Sequence, residues 1–149
     1  MFGTIINRFI VQGVSNIPLT IYGTGNQIRG YINLSDSIKC INLALENPAM
    51  AGQLNIHNQF TEQYSVNQLA KKIQLALGEI GIKCSSKKIT NPRIEKEKHY
   101  YNAKNSNLIK FGLNPRLLDN KIIIEMAEYV TKYKKNVNKK IIMPKVNWK

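Results

Sequence analysis

Residues 19–31 read LTIYGTGNQIRGY. Gly23 and Gly25 stand one residue apart, Gly30 follows, and Gln27 and Arg29 lie between them. Glycines this close together raise the question of a phosphate-cradling turn. A dinucleotide fingerprint needs G-x-G-x-x-G between a strand and a helix, with an acidic residue about 20 positions further on. Here Ile28 occupies the place of the third glycine, and the residues after Gly30 read as a strand. The stretch is therefore a strand–turn–strand connection, and its glycines serve the positive φ of a tight turn. Arg29 is a different matter. A guanidinium at a strand edge, beside a turn of exposed N–H groups, can pair bidentately with a phosphate. Gln27 is placed to hydrogen-bond close by.

The other residue types that do chemistry are sparse. Cys40 and Cys84 lie far apart and neither belongs to a C-x-x-C pair. They read as free thiols of a reducing compartment, not as a metal or redox motif. His57 and His99 have no nucleophile or paired acid at a recognisable spacing, so both read as packed or exposed histidines. No catalytic residue and no metal ligand is assigned to the chain.

The elements that must position Arg29 and its neighbours follow from periodicity. Phe2, Ile5, Ile6, Phe9 and Ile10 fall at helical spacing and predict a helix over 2–15. The β-branched and aromatic LTIYG predicts a strand, and GYINL a second one. SDSIKCINLALENP predicts a helix opened by a Ser/Asp cap and closed by Pro48, with Ile38, Ile41, Ala44 and Leu45 on one face. QLNIHNQ reads as a short strand. SVNQLAKKIQLALGEIG is the clearest helix: Ser65 and Gln68 form a capping box, Val66, Leu69, Ile73, Leu77 and Ile80 a buried stripe, and Gly81 the stop. KCSSKKIT reads as a strand, NAKNSNLIKFGLNP as a short helix ending at Gly112, and DNKIIIEMAEYVTKYKK as a last long helix capped by Asp119. The order is α, β, β, α, β, α, β, α, α, an α/β pattern without internal repeats.

The chain has 149 residues, 43% of them hydrophobic, which is enough for a core. No apolar run reaches the length of about 20 residues that a membrane helix needs. The N-terminal MFGTIINRFIVQGVSNIP lacks the basic–apolar–small order of a secretory signal. The net charge is +13, from 22 Lys and Arg against 9 Asp and Glu. Such an excess suits a nucleic-acid partner. Its distribution does not: lysines dominate, and many lie in a basic tail at about 132–149. A solvated lysine surface is the plainer reading.

Several stretches together resemble one family. LTIYGTGNQIRGYINLSD resembles the strand, glycine turn, R-[DG]-[FY], strand and Asp segment of extended short-chain dehydrogenase/reductase enzymes that act on nucleotide sugars. NPRIEKEKHYYNAKNSNLIKFGLNP resembles their later segment, an Arg followed by acidic residues and a short helix. Within that family, FGTIINRF, NIHNQFTEQYSVNQLA, NPRIEKEKHYYNAK and the ending IIMPKVNWK are similar to the branch that builds a sulfonated sugar nucleotide for sulfolipid from UDP-glucose and sulfite. The resemblance runs over essentially the whole chain, yet family enzymes are more than twice as long. It implies that residues 1–149 are the C-terminal, nucleotide-sugar-binding part: the last strands of a Rossmann-type sheet plus a small α/β lid. The half with the NAD fingerprint, the catalytic Thr and the Tyr-x-x-x-Lys pair is absent.

For the complete enzyme the resemblance implies bound NAD, oxidation at C4 of the glucose, loss of water across C5 and C6, addition of sulfite at C6 and return of the hydride. It also implies a homodimer, and a plastid stroma or the cytoplasm of a photosynthetic bacterium. The missing half would come in cis or as a separate chain. In this part, Asn7 matches an Asn near the diphosphate, flanked by Thr4 and Arg8. Thr20, Ile21 and Tyr22 match the strand that meets the uracil. Arg29 and Arg93 match two arginines that grip the diphosphate, with Gln27 nearby. Glu95, or Glu97, matches an acceptor for the ribose hydroxyls, and Tyr100 a residue that closes over the sugar. Another nucleotide-sugar epimerase or dehydratase is the alternative within the family, and a basic nucleic-acid-binding module the alternative outside it. A part cut from a larger sheet also carries an exposed edge and an uncovered apolar face.

The lysine reading is testable directly. In fluorescence-anisotropy titrations with duplex DNA and single-stranded RNA, no binding is expected at physiological salt. Binding that weakens linearly with the logarithm of salt concentration would assign the charge to nucleic acid instead.

Overall fold

A computed structural model describes residues 4–90 and 106–143. The elements run α1 (Ile5–Val14), β1 (Leu19–Tyr22), β2 (Ile28–Tyr31), α2 (Leu34–Glu46), β3 (Glu62–Ser65), α3 (Val66–Glu79), β4 (Ser86–Ile89), α4 (Ser106–Lys110), α5 (Asn120–Lys132), a 3-10 turn (Lys134–Asn136) and α6 (Lys139–Ile142). They divide into two compact units. The described residues of the first fall in 4–28, 64–90 and 119–143, those of the second in 29–63 and 106–118. β2 and β3 pair as a two-stranded sheet, and the boundary between units falls inside both strands.

The first unit is built on α1, α3 and α5, which pack on one another, with α1 and α3 also against β1. β1 and β4 pair in parallel, Leu19 opposite Ser86 and Tyr22 opposite Ile89. Phe9, Leu19, Leu69, Ile73, Leu77 and Ile123 are fully enclosed. Each contributes about 1.5–3 kcal/mol by leaving water. Both long helices start as their sequences predict. The Ser65 side chain accepts from the Gln68 N–H, and the Gln68 side chain accepts from the Ser65 N–H, a complete capping box. The Asp119 carboxylate accepts from the Ile122 N–H at 2.8 Å. The stripe on α3 is shorter than its periodicity suggests: Val66, Leu69, Ile73 and Leu77 are buried, whereas Ile80 lies past the helix and is exposed.

The second unit centres on Cys40, Leu108 and Leu113, with Ile32 and Leu43 packed against them. α2 is not capped by Ser35 or Asp36. Asn33 is the cap, its Oδ1 accepting from the Ser35 N–H at 2.9 Å. Asp36 instead turns inward and is wholly buried, where Oδ1 meets the Lys39 Nζ at 2.9 Å and Oδ2 accepts from the Arg116 N–H. Ile38, Ile41 and Leu45 share one face, which is more than half exposed at all three, while Asp36 and Cys40 point into the core. The strand predicted at QLNIHNQ is not formed either, and the strand in this region is β3, a few residues later.

Two substitutions in the first unit separate local from tertiary stability. Ile73→Ala is expected to lower the unfolding free energy by about 2–5 kcal/mol, since it opens a cavity in a closed core. Ser65→Ala is expected to cost about 1 kcal/mol, since it removes only the cap. Urea denaturation followed by circular dichroism checks both.

Candidate functional site

Strand β1 organises the candidate site in the first unit. One of its edges belongs to β4: the Leu19 N–H donates to Ser85 O at 2.8 Å, and the Gly23 N–H to Ile89 O at 2.8 Å. Strand alternation then turns the backbone groups of Thr20 and Tyr22 to the opposite edge. Three side chains close that edge in place of another strand. Gln12, fully buried on α1, grips Thr20 at two points: its Nε2 donates to Thr20 Oγ1 at 2.8 Å, and its Oε1 accepts from the Thr20 N–H at 3.1 Å. The Arg8 Nη2 donates to Thr20 O at 2.9 Å, and the Gln27 Nε2 to Tyr22 O at 3.1 Å.

Arg8 is the charged centre of this group. Its guanidinium carbon lies 5.0 Å from the Tyr22 ring centroid and 5.4 Å from that of Phe9. A cation held over an aromatic face gains about 0.5–2 kcal/mol, more as water is excluded. Burial pushes the Arg8 pKa down, and neighbouring Tyr22 opposes that shift. Two buried polar atoms beside Tyr22 have no partner: the Arg8 Nε, a donor, and the Gln27 Oε1, an acceptor. Just upstream, α1 begins without a side-chain cap. Thr4 stands at the N-cap but makes no capping bond, and the first turn holds no acidic residue. Among the described residues no side chain caps its leading N–H groups, which lie at the positive end of the helix dipole with Asn7 exposed beside them.

The glycine turn does structural work. Gly23 and Gly25 take φ of 59° and 76°. A Cβ on Gly25 would run into the Asn67 side chain and would lie 2.7 Å from Ile21 Cγ2. The turn also spends its carbonyls on the start of α3. The Asn67 N–H donates to Gly25 O at 3.0 Å, the Val66 N–H to Gln27 O at 3.3 Å, and the Asn67 Nδ2 to Thr24 O at 2.9 Å. The first amides of α3 are thus taken by protein carbonyls. These residues do not fit a dinucleotide pyrophosphate.

The residues singled out from sequence fall into three groups. Thr4, Asn7, Arg8, Thr20, Ile21, Tyr22 and Gln27 lie together in the first unit, on α1, β1 and the turn. Within that group Thr20 and Ile21 are 1% and 4% exposed, and of the three strand residues Tyr22 presents the most surface. Arg29 is exposed on β2 and belongs to the second unit. Its charge lowers the pKa of nearby Tyr31, which burial raises by more. Arg93, Glu95 and Tyr100 lie outside the described residues. His57 packs, its ring edge-on to Phe111 with centroids 5.5 Å apart. Two residues escaped the sequence reading. Gln12 carried a signal, a polar residue between Phe9 and Val14 on the buried side of an apolar helix. Asn67 carried none, since its role depends on the turn more than forty positions away in the chain.

Gln12→Leu tests the clamp. It leaves the Thr20 N–H buried without a partner, and the expected loss is about 1–3 kcal/mol in urea denaturation. Unchanged stability would show that the clamp is dispensable.

No protein-family model matches the chain. Over its full length it is 44% identical to UDP-sulfoquinovose synthase, chloroplastic, from Spinacia oleracea, and 39% identical to UDP-sulfoquinovose synthase from Sulfolobus acidocaldarius. It spans 31% and 38% of those relatives, and the match is to their C-terminal part. Among solved structures it is similar to UDP-glucuronic acid 4-epimerase from Bacillus cereus, in complex with UDP-glucuronic acid and NAD. That likeness has a TM-score of 0.65 at 22% identity and covers 88% of this chain and 40% of that one. The fold is thus the α/β fold of the C-terminal part of such short-chain dehydrogenase/reductase enzymes. The Sulfolobus relative is archaeal, so the likeness does not place the chain in a photosynthetic bacterium. Among the described residues no helix is long and apolar enough to cross a membrane.

Proposed function

We propose that this chain is the UDP-binding portion of a UDP-sulfoquinovose synthase, which anchors UDP-glucose for reaction with sulfite. The observation that carries the reading is the 44% identity to the spinach enzyme across all 149 residues. The geometry of the first unit supports it. The first turn of α1, without a side-chain cap and with Asn7 and Arg8 on it, suits a diphosphate. The half-exposed ring of Tyr22, with the Arg8 guanidinium carbon 5.0 Å from its centroid, suits stacking on a uracil. Arg29 and Arg93 supply further guanidinium forks for the phosphates, Glu95 an acceptor for the ribose, and Tyr100 a cover for the sugar.

Among the described residues the glycine turn forms no dinucleotide cradle, and in this reading NAD is held by the remainder of the enzyme. What this portion contributes is position. It holds UDP by groups remote from the reacting carbons, fixes where the sugar lies and helps exclude water. Binding energy placed so far from the chemistry raises kcat as well as affinity.

Isothermal titration of the chain with UDP tests the reading. Saturable binding is expected. Arg29→Ala and Arg93→Ala are each expected to weaken it by about tenfold or more, the loss of a charge-assisted hydrogen-bond pair. A folded chain that ignores UDP, or variants that bind it unchanged, would overturn the assignment.

A further inference from the structure

The first unit carries a second concave surface, which shares no residue with the candidate site. It is a groove of about 360 Å³ between α1, the end of α5 and the chain that follows. Its walls are apolar, with Val11 from α1, Val130 from α5, and Val137 and Ile142 from beyond it. Its rim is open to water. Tyr129 and Ile141 border it and are 67% and 61% exposed. Tyr133, on the same rim, and Met143, two residues past Ile141, are exposed as well. The Tyr129 and Tyr133 rings lie with centroids 5.1 Å apart and form one aromatic patch. The same stretch is strongly basic. Lys132, Lys134, Lys135, Lys139 and Lys140 are interspersed with the groove residues, and all are exposed. No Asp or Glu occurs from Tyr129 to Lys149. Among the described residues none of these lysines meets a carboxylate. Lys132 instead lies over the Tyr133 ring, its Nζ 5.7 Å from the centroid. A merely solvated lysine face needs no apolar centre, and an apolar seam of a protein core needs no ring of lysines.

We infer that this face binds the surface of an anionic lipid bilayer. Tyr129, Tyr133, Ile141 and Met143 enter the headgroup region, the groove between them adds apolar area, and the lysines around them meet the lipid phosphates. Among the described residues no helix can cross a membrane, so the contact is with the surface alone. Charge complementarity picks the bilayer over other acidic partners. Lysine alone carries the charge, since no arginine follows Arg116. Specific recognition of phosphates on a nucleic acid or a phosphopeptide favours the planar fork of arginine. Protein interfaces are depleted in lysine, because a partner chain would have to strip each ammonium of water. At a bilayer the lysine stem lies on apolar surface while the ammonium stays wet. Tyrosine, apolar in its ring and polar at its tip, suits the same boundary. Each lysine that reaches such a surface raises affinity about fivefold, and salt weakens the attraction. The inference is independent of the UDP reading, which uses other residues.

Flotation of the full chain with liposomes tests it, because aggregated protein does not float. The chain is expected to rise with vesicles of phosphatidylglycerol in phosphatidylcholine, to stay behind with phosphatidylcholine alone, and to be released by added salt. Lys134→Glu combined with Lys135→Glu is expected to weaken binding about twentyfold or more. Ile141→Ser leaves every charge in place and is expected to weaken it several-fold. All three positions are exposed, so the circular dichroism of the variants is expected to match the parent. Lys121→Glu, at the opposite end of α5, is expected to leave binding unchanged. No flotation with either vesicle, or equal flotation with both, would overturn the inference. So would a loss with Lys121→Glu as large as with the paired substitution, since net charge would then suffice. Binding indifferent to Ile141→Ser would likewise remove the apolar contact on which the inference rests. Failure with vesicles, alongside binding of duplex DNA or of an acidic peptide through Lys134 and Lys135, would assign the face to that partner instead.

Discussion

The first unit depends on how the outer edge of β1 is closed. A strand carries donors and acceptors on both sides, and β4 satisfies only one. Gln12 reaches across from α1 and bonds both the side chain and the backbone of Thr20. Arg8, one turn earlier on the same helix, takes the Thr20 carbonyl. The two residues therefore do for β1 what a neighbouring strand would do, and they fix α1 against the strand. A consequence follows for chemistry. Arg8 is held by its contact with the backbone at one nitrogen, which leaves Nε directed elsewhere and the cation resting on Tyr22.

The glycine turn shows how a familiar pattern changes meaning with context. In a dinucleotide fold, glycines free the amides of the following helix for a pyrophosphate. Here the helix that receives the turn is α3, remote in sequence, and its first amides are satisfied by the carbonyls of Gly25 and Gln27. Asn67 completes the lock. Gly25 is required for packing against Asn67 and Ile21, not for access to a phosphate. α1, by contrast, begins at Thr4, which makes no side-chain capping bond.

The parts of the fold legible in the sequence are those governed by local rules. The capping box at Ser65 and Gln68, the cap at Asp119 and the stripe Leu69, Ile73 and Leu77 follow from neighbours within a few residues. What was not legible has one cause. Periodicity shows that Ile38, Ile41 and Leu45 share a face, but not whether anything covers it. The composition of QLNIHNQ favours a strand, but a strand exists only with a partner. In the site, the expectation for Tyr22 and Gln27 rested on resemblance, as did that for Arg8. The burial of Thr20 and the part played by Gln12 depend on a helix–strand contact that no spacing rule encodes.

The central claim is that α1, β1 and the glycine turn receive UDP. Amide chemical-shift mapping of the labelled chain during a UDP titration tests it most directly. The account predicts shifts at Ile5, Ile6, Asn7 and Tyr22 and at the Gln27 side-chain amide, saturating together and absent with sulfite alone. Shifts confined to other residues, or a spectrum unchanged at millimolar UDP, would contradict it.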